Sequence, residues 1–493
     1  CINKWLGFIC TFHSHLANLS VMAEQGSAAA APSSELKSRP AGSTEHSWCK
    51  AVPGGTGITV LALLLSKPPD ISLLQNALHK LQNSNPILKS QLHYESSTNS
   101  YSYIIPSTSH LQIQPFDLSS TVQILRRLKT SDLTSVSDFH LILEHEINHN
   151  SWMNTGTSSD SDTDIFFASI YQLENEKSVF ALRIHTSVCD RAAALAVLKK
   201  LLKLVSCEKE DEEGTELEIL KKMEVGLGIE EYIPDGKASK PFWARGIDMV
   251  GYGLNSLRFC NLKFMDSEST RGSQVVKLQL NKQETDHILD GCKTRGIKLC
   301  GLLAAAGLIA AHSLKGLKEN QWEKYAIVTL INCRSILDPV LSPDFPGFYH
   351  SAILNTHDVK GGDDLWELAK RSYTSFINAK NNNKHFTDMG DLNFLMCRAI
   401  DNPGLTPSSS LRTSLISVFE DTVIDTSSTM HQEIGLEDFI GCASVHGVGP
   451  SIAIFDTIRD GHLDCACVYP FPLHTREQIQ ELIGEMKKIL IDC

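Results

Sequence analysis

The hydrophobic period of the sequence changes within the first half of the chain, and this change restricts the folds open to it. Residues 179–188 have the length and the largely apolar composition of a strand. The apolar residues that follow recur at helical spacing, at Leu195, Leu198, Leu202 and Val205. The chain therefore passes from a strand into an amphipathic helix, which predicts a fold that mixes the two.

The second half repeats this mixture. Residues 275–280 predict a strand, and the next helix should begin at Asn281, which has a glutamate at capping-box spacing. Near the C-terminus, Asp460 and Gly461 predict the turn of a β-hairpin between two apolar runs. Further strands and helices are predicted at 58–65, 71–81, 165–173, 300–314, 326–331, 365–376 and 475–490. Both halves therefore indicate α/β structure.

The length predicts two domains. A chain of 493 residues exceeds what one hydrophobic core usually organises. An acidic run beginning at Glu208 marks the boundary, and the chain opens on Cys1 with an Ala/Ser/Pro-rich stretch from Met22. The predicted segments are a disordered extension, an N-terminal domain, a connection and a C-terminal domain, at residues 1–44, 45–207, 208–264 and 265–493.

Charge and cysteine content restrict partners and compartment. The net charge of −12 is spread along the chain without a basic stripe, so we expect neither nucleic acid nor a membrane as a partner. No apolar run reaches membrane-spanning length. The 14 cysteines are scattered without a CxxC pair, which predicts reduced thiols and a cytoplasmic protein.

Four stretches of the chain resemble one superfamily of acyltransferases. They lie at residues 71–92, 184–198, 283–314 and 451–490. The superfamily contains chloramphenicol acetyltransferase, peptide-synthetase condensation domains, plant BAHD acyltransferases and alcohol acetyltransferases. The chain is most similar to condensation-type and alcohol-acetyltransferase-like members, because the Asp-Phe-Gly-Trp-Gly signature of the BAHD group is absent. The resemblance implies two similar chloramphenicol-acetyltransferase-like α/β domains, each a mixed sheet with helices, and an interdomain tunnel.

The superfamily's active site is a His-His-x-x-x-Asp-Gly motif, in which the second His removes the acceptor's proton and the Asp is structural. The corresponding residues here are His185, Thr186, Ser187, Val188, Cys189, Asp190 and Arg191. His185 and Asp190 are retained, but Thr186 replaces the catalytic His and Arg191 replaces the Gly. The resemblance implies that Ser187 and Arg191 line the tunnel.

A threonine at this position removes the expected general base. Its hydroxyl has no basic state near neutral pH, and loss of a general base costs roughly 10²- to 10⁴-fold in rate. In a regular strand His185 would point away from the tunnel, on the opposite face from Thr186. The base could instead have moved to His350 or His446 in the tunnel, or these could be ordinary core or surface histidines.

Asp190 and Arg191 each allow two interpretations. A buried carboxylate needs a cationic partner, and the candidates for Asp190 are Lys89 and Arg334. Arg191 could be a solvated side chain on a tolerant turn, or it could alter the substrate pocket by adding bulk and charge.

A rival motif is the zinc-protease pattern His-Glu-x-x-His, which is matched by His145, Glu146 and His149. Such a site needs a stable helix, whereas the alternation of apolar residues at 139–143 predicts a strand. We therefore expect no metal site here and retain the metalloprotease only as a remote alternative.

Two functional hypotheses remain. The first is transfer of an acyl group from a coenzyme A or carrier thioester, used as co-substrate, to an alcohol or amine. The second is a pseudoenzyme that binds an acyl compound or a partner protein without turnover. In either case we expect small-molecule ligands, no bound cofactor and a monomer.

Overall fold

The computed structural model describes residues 37–129, 136–155, 162–206, 225–256, 259–318, 320–405, 411–425, 432 and 434–493. Most of the extension predicted at 1–44 lies outside these residues. The part inside them is ordered, because Arg39 forms two hydrogen bonds of 2.7 Å with the buried carboxylate of Glu45. The prediction of disorder is therefore wrong from residue 37 onward.

The strands are β1 Lys37–Pro40, β2 Thr56–Leu65, β3 Gln91–Glu95, β4 Ser100–Ile105, β5 Ile113–Phe116, β6 Thr163–Asp164, β7 Phe166–Gln172, β8 Ser178–His185, β9 Gly272–Leu280, β10 Glu323–Asn332, β11 His350–Val359, β12 Ile416–Phe419, β13 Val423–Asp425, β14 Leu436–Val445, β15 Ile452–Arg459 and β16 His462–Phe471. The predicted hairpin is β15–β16, with Asp460 and Gly461 both at positive φ in its turn.

The helices are α1 Ser43–Ala51, α2 Ile71–Ser84, α3 Leu118–Leu128, α4 Asp138–Asn148, α5 Arg191–Val205, α6 Phe242–Ser256, α7 Lys282–Arg295, α8 Leu299–Ser313, α9 Leu365–Asn381, α10 Lys384–Thr387, α11 Met389–Asp401 and α12 Arg476–Ile491. The helix predicted at Asn281 is α7, and its capping box with Glu284 is formed. The α/β class is confirmed.

Three sheets organise the described residues. A five-stranded sheet has the order β14-β2-β8-β7-β5, and a larger sheet has the order β11-β10-β12-β15-β16-β9, with β13 on β15. A small sheet, β1-β4-β3-β6, lies beside the first. Strands β2 and β8 are buried on both faces, which explains their almost continuous apolar sequences.

One strand crosses the predicted division between the halves. β14 pairs antiparallel with β2, so a segment of the second half forms the edge of the five-stranded sheet. The predicted connection at 208–264 also contains a helix, α6. The two halves are therefore joined by a shared sheet as well as by the covalent connection.

Helix α8 forms the centre of the core beneath the larger sheet. Nearly every residue of α8 is buried, and neighbours approach closely at its glycines. A Cβ on Gly307 would lie 2.0 Å from Ile416 Cδ1, and one on Gly301 would lie 2.9 Å from Tyr373 Cβ. The small side chains of α8 therefore set the distance between the sheet and the helices behind it.

None of the described helices combines the length and the apolar composition of a membrane span. Helices α7 and α8 reach that length and composition only together, and the chain bends by 107° between them.

Candidate functional site

A cavity of about 340 Å³ lies between the five-stranded sheet and the larger sheet. Its walls come from β2, β10, β11, β14 and β15, and from the start of α5. Most lining side chains are apolar or aromatic, including Leu61, Trp48, Val328, Phe348, Phe419 and Phe455. A largely apolar cavity of this size is typical of a small-molecule site.

The end of β8 supplies the polar part of this wall. The strand ends at His185, a single 3₁₀ turn covers Thr186–Val188, and Asp190 caps the N-terminus of α5 by accepting a hydrogen bond of 2.9 Å from the Ala193 N–H. Thr186 lines the cavity, and its hydroxyl lies 2.7 Å from the Thr59 hydroxyl. The position at which the sequence resemblance implies a catalytic His therefore holds a hydroxyl paired with another hydroxyl.

His185 is turned into the protein. It is fully buried, and its Nδ1 accepts from the backbone N–H of Ser187 and lies 2.8 Å from the Ser187 hydroxyl. The ring meets Trp152 edge-on at 5.1 Å between centroids. Burial lowers the pKa of His185 to about 3. The side chain is therefore neutral and lies outside the cavity wall, where it cannot take a proton from a ligand.

Asp190 is a buried residue of the cavity wall and holds several groups together. Its Oδ2 accepts from Arg334 Nη1 at 2.9 Å and from the Tyr349 N–H at 2.7 Å. Burial acts to raise the pKa of Asp190, but the Arg334 guanidinium and His350 outweigh it and hold the pKa well below its usual range. Asp190 is therefore ionised, and Arg334 is the cation that compensates it.

His350 lines the same cavity at the start of β11. Its Nδ1 lies 2.9 Å from Asp190 Oδ2, with the N–H direction out of line for a straight hydrogen bond. The ring packs between Phe348 at 6.4 Å and Phe419 at 6.1 Å between centroids. The structure thus brings a histidine of the second half against the Asp190 carboxylate of the first half.

Arg191 also lines the cavity, but its charge is paired. Nη1 lies 3.0 Å from Asp456 Oδ1, and Nη2 contacts the Asp456 carbonyl. The guanidinium carbon lies 4.3 Å from the centre of the Phe419 ring. Of the two interpretations for Arg191, the structure favours an altered pocket over a solvated turn residue.

Three predicted site residues lie elsewhere. Ser187 is buried against His185, and Lys89 donates to the Ser107 carbonyl at 2.9 Å instead of pairing with Asp190. His446 is packed behind Gly55, where an added Cβ would lie 1.9 Å from its Nε2. Neither Ser187 nor His446 belongs to the described lining of the cavity.

His446 is unsuited to act as a base. Its Nδ1 lies 3.0 Å from the Ser273 hydroxyl. Burial lowers its pKa to about 4, and the charges of Arg412 and Arg271 act in the same direction. Close packing and a low pKa both show a structural histidine.

His145 and Glu146 of the His-Glu-x-x-His motif lie on α4 and His149 caps its C-terminus, so the predicted strand at 139–143 is wrong. Helix α4 is buried around most of its circumference, and apolar residues therefore occur without a helical stripe. Glu146 is ion-paired with Arg183 and accepts from the Tyr171 hydroxyl, in a site that is almost closed to solvent. Among the described residues no group of three potential ligands could hold a metal ion.

Cys189 is the cavity-lining thiol nearest to Asp190. Burial, reinforced by the Asp190 charge, raises its pKa far above the ordinary value. The Cys189 thiol therefore stays protonated and does not act as a nucleophile near neutral pH.

Several wall residues were not found from the sequence. Trp48 and Thr59 come from α1 and β2, and Phe348 and Phe419 surround His350. The sequence shows only that these residues are apolar or small, and this does not distinguish a cavity wall from a hydrophobic core. The contact between Asp190 and His350 joins positions far apart in the chain and carries no local signal.

No protein-family model matches the chain, and no curated protein is similar to it in sequence. Solved structures do share its fold. One is the TRI3 trichothecene 15-O-acetyltransferase from Fusarium sporotrichioides, with a TM-score of 0.64 at 11% identity, covering 92% of this chain and 94% of that one. Polyketide synthase associated protein 5 from Mycobacterium tuberculosis has a TM-score of 0.57 at 15% identity, covering 94% and 98%.

The first condensation domain of the calcium-dependent antibiotic synthetase, solved with a substrate analogue, has a TM-score of 0.58 at 12% identity. The match covers 92% of this chain and 97% of that domain. The chain therefore has the chloramphenicol-acetyltransferase-like fold of condensation domains and related acyltransferases over nearly its whole length.

Proposed function

We propose that this protein transfers an acyl group from a thioester to an apolar alcohol or amine in the cavity between its halves. The observation that carries the proposal is the apolar cavity of about 340 Å³, at whose wall β8 ends and the ionised Asp190 begins α5. Acyltransfer needs both reactants held side by side with water excluded, and positioning of this kind contributes strongly to rate.

The lining indicates the class of acceptor. The charges of Asp190 and Arg191 are already matched, by Arg334 and Asp456 respectively. A charged acceptor would enter this space without a free counter-charge, which is costly. An apolar skeleton gains about 25 cal/mol for each Å² that it buries. A neutral alcohol or amine on an apolar skeleton is therefore the favoured acceptor.

The proposed donor is a coenzyme A or carrier thioester that acts as a co-substrate. The fold supports this class of donor, and the name of the trichothecene 15-O-acetyltransferase records transfer to an oxygen in a protein of the same fold. A hydroxyl acceptor is accordingly the first to test.

The test is thiol release from acetyl- and longer-chain acyl-coenzyme A with a panel of apolar alcohols, in the wild type and in Val328→Phe. Val328 is a half-buried residue of β10 that lines the cavity. We expect the added ring to lower acyl-probe affinity at least tenfold and to abolish turnover. Lys324→Phe, at the partly exposed start of the same strand, is the matched control. Unchanged probe affinity in Val328→Phe would contradict the proposal.

A second candidate is binding without turnover, which is favoured by the hydroxyl pair of Thr186 and Thr59 where a base is expected. In that case the wild type would bind acyl probes and release no thiol, and Thr186→His would gain activity. This candidate would be excluded if the wild type releases thiol and a substitution of Asp190 abolishes that release.

A further inference from the structure

The Asp190 carboxylate makes the contacts of a residue that orients a base. Its Oδ1 caps α5, while Oδ2 accepts from Arg334 and from the Tyr349 N–H. The imidazole of His350 also lies against Oδ2. In known Asp–His pairs, the carboxylate fixes the tautomer of the ring and stabilises the imidazolium that forms during reaction.

We propose that His350 is the general base of this site and that Asp190 is its positioning residue. The assignment rests on the proposed acyl-transfer function and names the group that replaces the missing imidazole at Thr186. It moves the base from the end of β8 in the first half to the start of β11 in the second half.

The geometry leaves one ring nitrogen of His350 for a ligand. With Nδ1 against Asp190, Nε2 is at the far edge of the ring, and His350 lines the cavity. Within the described part of the chain, no hydrogen bond occupies Nε2. The Nδ1 contact is short but not linear, and catalytic pairs without substrate often have such geometry and align when a ligand binds.

The charged groups around His350 leave the Asp190 carboxylate as its nearest charged neighbour. Asp190 touches it directly, Arg334 lies on the other side of that carboxylate, and Arg191 stacks on Phe419 beyond the ring. Arg334 and Asp190 form a matched pair, while Arg191 is matched by Asp456. The carboxylate is therefore the unit charge nearest to a protonated His350.

The other histidines considered for this role are excluded by their surroundings. His185 faces Trp152 inside the protein, and His446 is packed behind Gly55. Among the described histidines, His350 alone combines cavity lining with a contact to Asp190.

The proposed step is balanced without any further reagent. Nε2 of His350 takes the proton of the acceptor hydroxyl as its oxygen attacks the thioester carbonyl carbon. The C–S bond of the tetrahedral intermediate then breaks, and the thiolate receives the same proton from the imidazolium. The products are an ester and a free thiol, and Asp190 remains ionised throughout.

The test compares His350→Gln with wild type in the thiol-release assay. We expect a loss of 10²- to 10⁴-fold in kcat, with acyl-probe affinity within about threefold of wild type. The acid limb of the pH–rate profile should disappear in the variant. His357→Gln is the matched control, because His357 is a buried histidine of the same strand that lies outside the large cavity.

Chemical rescue separates catalysis from packing. In His350→Ala, added imidazole should restore part of the rate, which would not occur if the ring only supported the fold. A His350→Gln variant that keeps the wild-type rate and pH profile would overturn the assignment while leaving acyl transfer intact. A wild type that binds the acyl probe without turnover would overturn the proposed acyl transfer and with it the base, and no binding at all would also exclude the cavity as an acyl site.

Discussion

Asp190 joins the two halves of the molecule through one buried carboxylate. Its Oδ1 caps the N-terminus of α5. Its Oδ2 accepts hydrogen bonds from Arg334 and from the Tyr349 N–H, and it contacts His350. Both Asp190 and Arg334 are nearly inaccessible to solvent. Burying two charges is costly, and the cost is offset only because the remaining donors are also used, by the carbonyls of Phe345 and Gly347.

At this scale we predict strong coupling between Asp190 and Arg334. Arg334→Met should destabilise the protein by roughly 3–5 kcal/mol, because it leaves a buried carboxylate without its cation. Asp190→Asn should also be destabilising, and the double variant should cost clearly less than the sum. Urea unfolding of the four proteins measures this coupling, and strictly additive losses would contradict it.

Part of the Asp190 network could be predicted from the sequence. A buried aspartate demands a cation, so Arg334 could be named in advance, but Lys89 satisfied the same rule. Only packing separates the two, since Lys89 donates to the Ser107 carbonyl instead. The contact of His350 depends on how β11 is placed against the start of α5, and no local pattern specifies that.

At the scale of single elements, α4 shows where periodicity fails. A helix that is buried on nearly all sides has no polar face, so its sequence lacks the 3.6-residue stripe that identified α5 and α12. The strand–helix switch at β8–α5 and the β15–β16 hairpin were predicted correctly because each carries a local chemical signal. Helix α6, which lies within the predicted connection, was not predicted. Strand β14, which belongs to the second half but pairs with β2 of the first, was not predicted either.

We predict that Glu146 contributes to stability and not to metal binding. Glu146→Ala should cost on the order of 3–5 kcal/mol, because Arg183 would remain buried without its partner. A chelator such as EDTA should leave the Tm of the wild-type protein unchanged. Bound zinc in stoichiometric amount, or a Tm lowered by EDTA, would contradict this prediction.

At the scale of the whole molecule, the two halves are joined by direct contacts as well as by the chain that connects them. β14 of the second half completes the sheet of the first, and Glu144 of α4 pairs with Arg476 at the start of α12 at 2.7 Å. A division at 207 and 265 therefore does not correspond to two separable sheets. The cavity lies between elements that are held together on several sides.

Five histidines with pKa values lowered by burial lead us to expect that stability depends on pH. Burial lowers the pKa of His185 to about 3, and it lowers the pKa values of His357, His385, His446 and His474 to about 4 each. An unfolded chain takes up these protons below about pH 6.5, so acid favours the unfolded state in this window. Stability should be fully present above pH 6.5 and fall progressively towards pH 4.

Urea unfolding at pH 7.5, 6.0 and 5.0 measures this loss, to which each such histidine adds up to about 1.4 kcal/mol per pH unit. His357→Gln should reduce the slope by about that amount. A free energy of unfolding that stays constant from pH 7.5 to 5.0 would contradict the prediction.

The contact between Asp190 and His350 has a consequence for selectivity, because its two members come from different halves of the chain and both line the cavity. A bound molecule that forces the two halves apart lengthens this contact and separates the ring from its carboxylate. Such a molecule should therefore lose more in turnover than in affinity.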